Sequence, residues 1–156
     1  MNANYINITL PTNTYYSNLT FNYKFTVNDG KVGYIHLNGN DSTIIGNGQI
    51  FLNLERGNNI IENITFVNCT ISKASYHHLL VRNVTFINCT GNIISANYGL
   101  DVHNVTFINC TGDYISNNYC NVNYTNVNID GKIYNNYLYK YFNNVNTTSN
   151  INEDII

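Results

Sequence analysis

Three side chains near the middle of the chain are the candidates for acid–base chemistry: Asp101, His103 and Arg82. In a catalytic interpretation, Asp101 is the carboxylate, His103 exchanges protons and Arg82 holds an anionic group. Enzymes that use two carboxylates or calcium need clustered acids, whereas the nine Asp and Glu residues of this chain are mostly isolated. In the alternative interpretation, Glu62, Arg82 and His103 form a row of exposed charges on neighbouring strands, and the histidine pair at 77–78 is a solvent-facing turn. We therefore predict no catalytic residues.

Four tyrosines stand in segments that are rich in Asn, Thr and Ser: Tyr76, Tyr98, Tyr114 and Tyr119. Exposed rings can stack on the apolar faces of sugars, and amides and hydroxyls can bond sugar hydroxyls. The sequence therefore predicts a ligand-binding surface for glycans or another cell surface. The competing hypothesis is a purely structural stalk.

The four cysteines do not have the spacing of a metal site. Cys69, Cys89 and Cys110 recur at steps of 20 and 21 residues, Cys120 stands apart, and no CxxC pair occurs. Zinc sites usually contain such close pairs, so we predict no metal and no cofactor. Two interpretations of the three regularly spaced cysteines stay open. They are either a stack of buried thiols, or one neighbouring pair, Cys69 with Cys89 or Cys89 with Cys110, forms a disulfide.

All these candidates lie in or beside an internal repeat. The chain contains NITFVNCT at position 63 and NVTFINCT at positions 83 and 104. A fixed period of this size is typical of stacked repeats, and the β-branched and aromatic residues of each copy predict a short strand. Neither a leucine-rich skeleton nor paired amphipathic helices are present. A parallel β-helix fits best, with equivalent strands about 4.8 Å apart.

Stacking of the repeats predicts columns, by which we mean equivalent residues on successive parallel strands. The Phe column packs inside, and the second Asn of each phrase takes a left-handed or bridging backbone where the chain changes direction, with amides that can bond from strand to strand. The predicted structural columns are Phe66, Phe86 and Phe107; Asn68, Asn88 and Asn109; and Cys69, Cys89 and Cys110.

The repeats resemble those of right-handed parallel β-helix proteins of the pectate-lyase-like superfamily. They are most similar to the Asn-rich adhesin-like surface proteins of methanogenic archaea, as is the segment YIHLNGNDSTIIGNGQI at 34–50. The resemblance implies right-handed winding, an extracellular or cell-surface location, and adjoining coils of a longer parent chain as possible partners. The NTD, DD, GHG and RIK motifs of polygalacturonase-like enzymes and the RxPxxR-type motif of pectate-lyase-like enzymes are absent. We predict a non-enzymatic attachment module; the alternative is a polysaccharide lyase or hydrolase of the same superfamily.

Composition and order along the chain complete the prediction. The 156 residues are 44% hydrophobic and 10% charged with a net charge of −2, so we expect neither a nucleic-acid partner nor membrane insertion. Residues 1–16 lack the pattern of a signal peptide.

We expect an N-terminal cap or irregular first coil at 1–33, with strands at 6–10 and 19–27. β-helix coils of about 20–22 residues follow at 34–134, and a last coil, cap or ragged tail at 135–156. Aligning DSTIIGNG with NITFVNCT starts the regular coils near Asp41 and pairs Ile44 with Phe66; a fourth, degraded phrase starts at Asn126.

Overall fold

The computed structural model of the chain is all-β in the residues that it describes, which are 4–17, 33–46, 50–53, 58–72, 78–90, 94–96, 99–111, 113–117, 121–129, 132–135 and 140–147. Long and short strands follow one another along the chain. The thirteen strands of these described residues are β1 (Asn4–Thr9), β2 (Tyr15–Ser17), β3 (Gly33–Ile45), β4 (Ile50–Asn53), β5 (Asn58–Val67), β6 (Thr70–Ser72), β7 (His78–Ile87), β8 (Ile94–Ala96), β9 (Gly99–Ile108), β10 (Asp113–Asn117), β11 (Asn121–Ile129), β12 (Lys132–Asn135) and β13 (Lys140–Thr147).

The strands pair in parallel, which confirms that part of the prediction. One sheet contains β1, β3, β5, β7, β9, β11 and β13 in that order, with β2 also paired to β3. A second sheet has the order β12, β10, β8, and β4 pairs with β6. Parallel neighbours need a crossover connection. From β3 to β13 each crossover carries one of the short strands, so strands that alternate along the chain belong to different sheets.

The sequence predicts a separate short strand for each copy of the repeated phrase, and this prediction is wrong. The phrase makes up the second half of the ten-residue strands β5, β7 and β9, and the apolar pairs before it, such as Ile60 with Ile61, are in the first half. The halves meet at Asn63, Asn83 and Asn104, whose φ angles are 53°, 53° and 52°. Asn tolerates this left-handed region better than most residues, so the strand bends there while the pairing continues on both sides.

The core consists of the inward-facing columns of the main sheet. Phe66, Phe86 and Phe107 lie in register on β5, β7 and β9 and are almost completely buried. Their rings stack, with centroids 5.5 Å apart between the first two and 5.0 Å apart between the last two. The neighbouring inward columns contain aliphatic side chains, including Ile64, Val84 and Val105. Each inward side chain therefore packs on an identical or similar side chain of the neighbouring strand.

The same parallel register extends beyond the three phrases. Ile44 pairs with Phe66, and β1 and β2 pair with the two halves of β3, so the stacking includes residues before Asp41. Strand β1 contains most of the predicted strand at 6–10, whereas the one at 19–27 lies outside the described residues. At the other end, β11 pairs with β9 and β13 pairs with β11. The main sheet is therefore continuous from Asn4 to Thr147 across its described strands.

Candidate functional site

A buried carboxylate lies on the outward side of the main sheet. Glu62 on β5 is flanked by β3 and β7, and only 5% of it is exposed. His36 Nε2 lies 2.6 Å from Glu62 Oε1, and Arg82 Nε donates to Glu62 Oε2. Burial alone would raise the pKa of Glu62, but the hydrogen bonds and charges of Arg82 and His36 outweigh it and hold the pKa below the ordinary value of 4.5.

The predicted row of exposed charges is therefore only partly right. Glu62, Arg82 and His103 do occupy one column in register, and Arg82 is exposed. Glu62, however, is covered by its own partners, because His36 reaches it diagonally from β3 while Arg82 lies directly beside it on β7. The burial makes this pair stronger than an ordinary surface ion pair, since less water screens it.

A second histidine and carboxylate meet between the next two strands of the main sheet, β7 and β9. His78 Nε2 lies 2.7 Å from Asp101 Oδ2, again in a diagonal contact between neighbouring strands. His78 is the first residue of strand β7, so the turn expected at 77–78 is wrong at this residue, although its side chain is 42% exposed. His77 lies outside the described residues. A Cβ atom on Gly99 would lie 2.7 Å from His78 Cδ2, so the ring occupies the space that a side chain would fill.

An open cleft lies between these two histidines. Its volume is about 330 Å³, at the small end of the roughly 300–1,000 Å³ that ligand pockets usually have. The partly buried side chains of Ile60 and Leu80 contribute an apolar floor, and His36, His78 and Asn58 contribute polar groups. The remaining lining residues are Ile35 and Asn59.

The three predicted catalytic candidates lie close in the register of the sheet. Arg82 and His103 are direct cross-strand partners, and Asp101 is two residues before His103, so all three have the same outward orientation along β7 and β9. Two of these three residues are hydrogen-bonded to residues outside the predicted group, however. Asp101 is bonded to His78, and Arg82 is bonded to Glu62. The sequence did not predict either histidine pair, because each joins residues 23 or 26 positions apart.

The predicted tyrosine surface lies largely outside the described residues. Tyr76, Tyr98 and Tyr119 belong to segments that the structure does not describe, and for Tyr114 only its place in strand β10 is described. The glycan-binding role of these residues stays a prediction.

Cys69, Cys89 and Cys110 are free thiols that are buried in one inward column, and Cys120 lies outside the described residues. Each thiol lies within hydrogen-bonding distance of a backbone carbonyl on the previous strand of the main sheet, such as Cys69 Sγ to Ile44 O at 3.7 Å. Gly46 leaves room for the first thiol, because a Cβ there would lie 2.8 Å from Cys69 Sγ. Of the two interpretations left open by the spacing, the structure contains the buried thiols.

The thiols differ in how readily they ionise. Burial raises the pKa of Cys69. The hydrogen bond between Cys89 and Cys110, together with burial, raises the pKa of Cys89, whereas the same hydrogen bond lowers the pKa of Cys110 to about 7. Cys110 is also the most exposed of the three, at 7%. It should therefore be the first of these thiols to react.

Two sets of asparagines shape the outside of the sheet. Asn68, Asn88 and Asn109 follow the strands with φ angles of 53°, 53° and 51°, in the left-handed region, and are exposed. A row of amide hydrogen bonds is formed by the other set: Asn104 Nδ2 donates to Asn83 Oδ1 and Asn83 Nδ2 to Asn63 Oδ1, each at 3.0 Å. The row continues from Asn63 to Asn38 at 3.2 Å. The first Asn of every phrase is the sequence signal for this row, whereas the prediction placed the left-handed corner at the second Asn alone.

In the part of the chain that the structure describes, no group of three or more His, Cys, Asp or Glu residues is arranged to hold a metal ion, and no helix has the length and apolarity to cross a membrane. No protein-family model, curated protein or solved structure matches the chain.

Proposed function

We propose that the chain is a right-handed parallel β-helix module. Three observations support this proposal: the strands are parallel, long and short strands alternate between sheets, and the stacking repeats every 20 or 21 residues along the row of amide bonds. A β-helix is the simplest winding that returns the chain to the same column after each repeat. The right-handed winding is supported by the general preference of parallel crossovers for this hand and by the sequence resemblance. A crystal structure in which the short strands did not stack beside the main sheet would contradict it.

We further propose that the module is a non-enzymatic, adhesin-like part of an extracellular surface protein and that it attaches to glycans. The observation that carries this proposal is the regular polar surface over a buried, stacked core. The amide row of Asn63, Asn83 and Asn104 runs beside an outward column of Thr65, Thr85 and Thr106, at the fixed spacing of paired strands. Repeated amides and hydroxyls at a constant distance suit the repeated hydroxyls of a polysaccharide.

A second candidate is a polysaccharide lyase or hydrolase. The His78–Asp101 pair favours it, because a histidine oriented by a carboxylate beside a cleft can exchange protons with a substrate. Against it, Glu62 is held between His36 and Arg82 and is almost completely buried, so it has little access to a substrate.

One experiment separates the candidates. The purified chain is incubated with neutral and acidic polysaccharides, and both the bound protein and the soluble oligosaccharides are quantified by chromatography. Binding without release of fragments is the expected result. Release of fragments that depends on Asp101 would overturn the non-enzymatic proposal, and the absence of binding to every polysaccharide would favour a structural stalk.

A further inference from the structure

We propose that the cleft between His36 and His78 is a binding site for one neutral pyranose unit of a glycan. The inference rests on the proposed glycan attachment, and it places that attachment at residues outside the predicted tyrosine surface. It is carried by the size of the cleft, its apolar floor and the arrangement of polar groups around the floor.

The floor and size of the cleft suit a sugar ring. Ile60 and Leu80 are neighbours in register on β5 and β7 and are half-buried on the outward side of the sheet. They provide an apolar surface against which the C–H face of a pyranose can pack. A volume of about 330 Å³ accommodates a single ring but not an extended chain. The remainder of a polysaccharide would therefore lie along the surface of the sheet.

The polar groups at the floor match sugar hydroxyls. His36 and His78 each donate a hydrogen bond from Nε2 to a carboxylate, so in the neutral form of each imidazole Nδ1 is an acceptor. Among the described residues, nothing bonds Nδ1 of either ring. Asn58 Oδ1 accepts from the backbone N–H of His78 at 3.4 Å, which leaves the amide Nδ2 of Asn58 as a donor. Two acceptors and one donor above an apolar floor suit hydroxyl groups, which donate and accept.

The charges around the cleft favour a neutral sugar over an acidic one. Each cleft histidine contacts a carboxylate, Glu62 beside His36 and Asp101 beside His78. The negative charges of these two carboxylates repel the carboxylate of a uronic acid.

His78 is held in place by a feature that permits a selective test. Its ring lies over Gly99, where a Cβ would be 2.7 Å from Cδ2, so Gly99→Ala displaces the imidazole without removing any polar group. His78→Ala removes the group itself. His103→Ala is the matched control, because His103 is a half-buried histidine on the same outward side but does not line the cleft. Circular dichroism and thermal melting check that each variant folds.

The test is affinity electrophoresis of the wild-type chain and the three variants through gels that contain neutral glucan, mannan or galactan, or acidic pectate. We expect at least one neutral polysaccharide to retard the wild type, and His78→Ala and Gly99→Ala to weaken the apparent affinity at least about tenfold, while His103→Ala does not. The matching methyl glycoside should release the protein.

The other outcomes distinguish the two proposals. If a neutral polysaccharide retards all four proteins equally, the cleft is not the site, and glycan attachment stands. If only pectate retards the wild type, the assignment to a neutral sugar is wrong. If no polysaccharide retards the wild type, both the cleft assignment and the proposed attachment fail.

Discussion

The Phe column should be the most sensitive part of the core to truncation. Phe86 is completely buried and its ring stacks on two others, Phe66 on one side and Phe107 on the other. Truncating a buried Phe to Ala usually costs about 3–5 kcal/mol, because apolar contacts are lost and a cavity is left. Phe86→Leu keeps most of the apolar volume but loses both ring pairs. At about 0.5–1.5 kcal/mol for each pair, it should cost about 1–3 kcal/mol.

The measurement is urea unfolding followed by circular dichroism, which gives the free energy of unfolding and its dependence on urea. Tyrosine fluorescence recorded in the same experiment tests whether unfolding is a single transition, which stacked repeats do not always show. Ile108→Ala is the control, because Ile108 is 42% exposed on the outward side of β9, beside the last ring of the column. It should cost about 1 kcal/mol or less. A loss for Phe86→Ala no larger than that of the control would refute the internal column.

Three further predictions concern the strand corner, the buried carboxylate and the thiols. Asn83→Gly suits the φ of 53° better than Asn83→Ala, so urea unfolding should find it more stable than the Ala variant by about 1 kcal/mol; equal stabilities would contradict a left-handed corner. The pKa of Glu62 is lowered in the folded state, so its contribution to stability is complete above the ordinary value of 4.5 and is lost as the pH falls through the folded value. Glu62→Gln should therefore lose less stability than the wild type between about pH 5 and pH 3, and parallel curves would count against the pairing with Arg82. Alkylation of Cys110, followed by mass spectrometry of its peptide, should rise with pH through about 7. The rise should move to higher pH in Cys89→Ala, and an unmoved profile would show that Cys89 does not bond Cys110.

The part of the fold that the sequence predicts is the part that repeats. Each inward side chain packs on its own equivalent, so the columns of Phe66 and Cys69 are visible as identical letters at steps of 20 and 21 residues. The alignment of the degraded segment with the first phrase also gives the register of Ile44 against Phe66. In the residues that the structure describes, the prediction of an all-β fold with parallel strands is confirmed.

The parts that the sequence did not predict depend on contacts between different residue types on neighbouring strands. The sequence predicts Glu62 as one of a row of exposed charges, whereas its burial comes from His36 and Arg82, 26 and 20 residues away. The bond from His78 to Asp101 similarly requires the missing side chain of Gly99. A periodic sequence pattern predicts which residues are paired on neighbouring strands. It does not predict the side-chain rotamers that bring two different residue types into contact.

The separation between repeated and non-repeated positions also indicates where a stacked protein can evolve a binding site. Inward positions must stay self-similar, because a change on one strand alters the packing of the strands on both sides. Outward positions have no such requirement. The column of His36, Ile60, Leu80 and Asp101 contains a different residue on each strand, although its inward neighbours on both sides are almost entirely aliphatic. That column provides one cleft histidine, the cleft floor and the carboxylate that orients the other histidine. A search for function in such a chain should therefore begin with the outward columns that break the repeat, because the repeat itself accounts only for the scaffold.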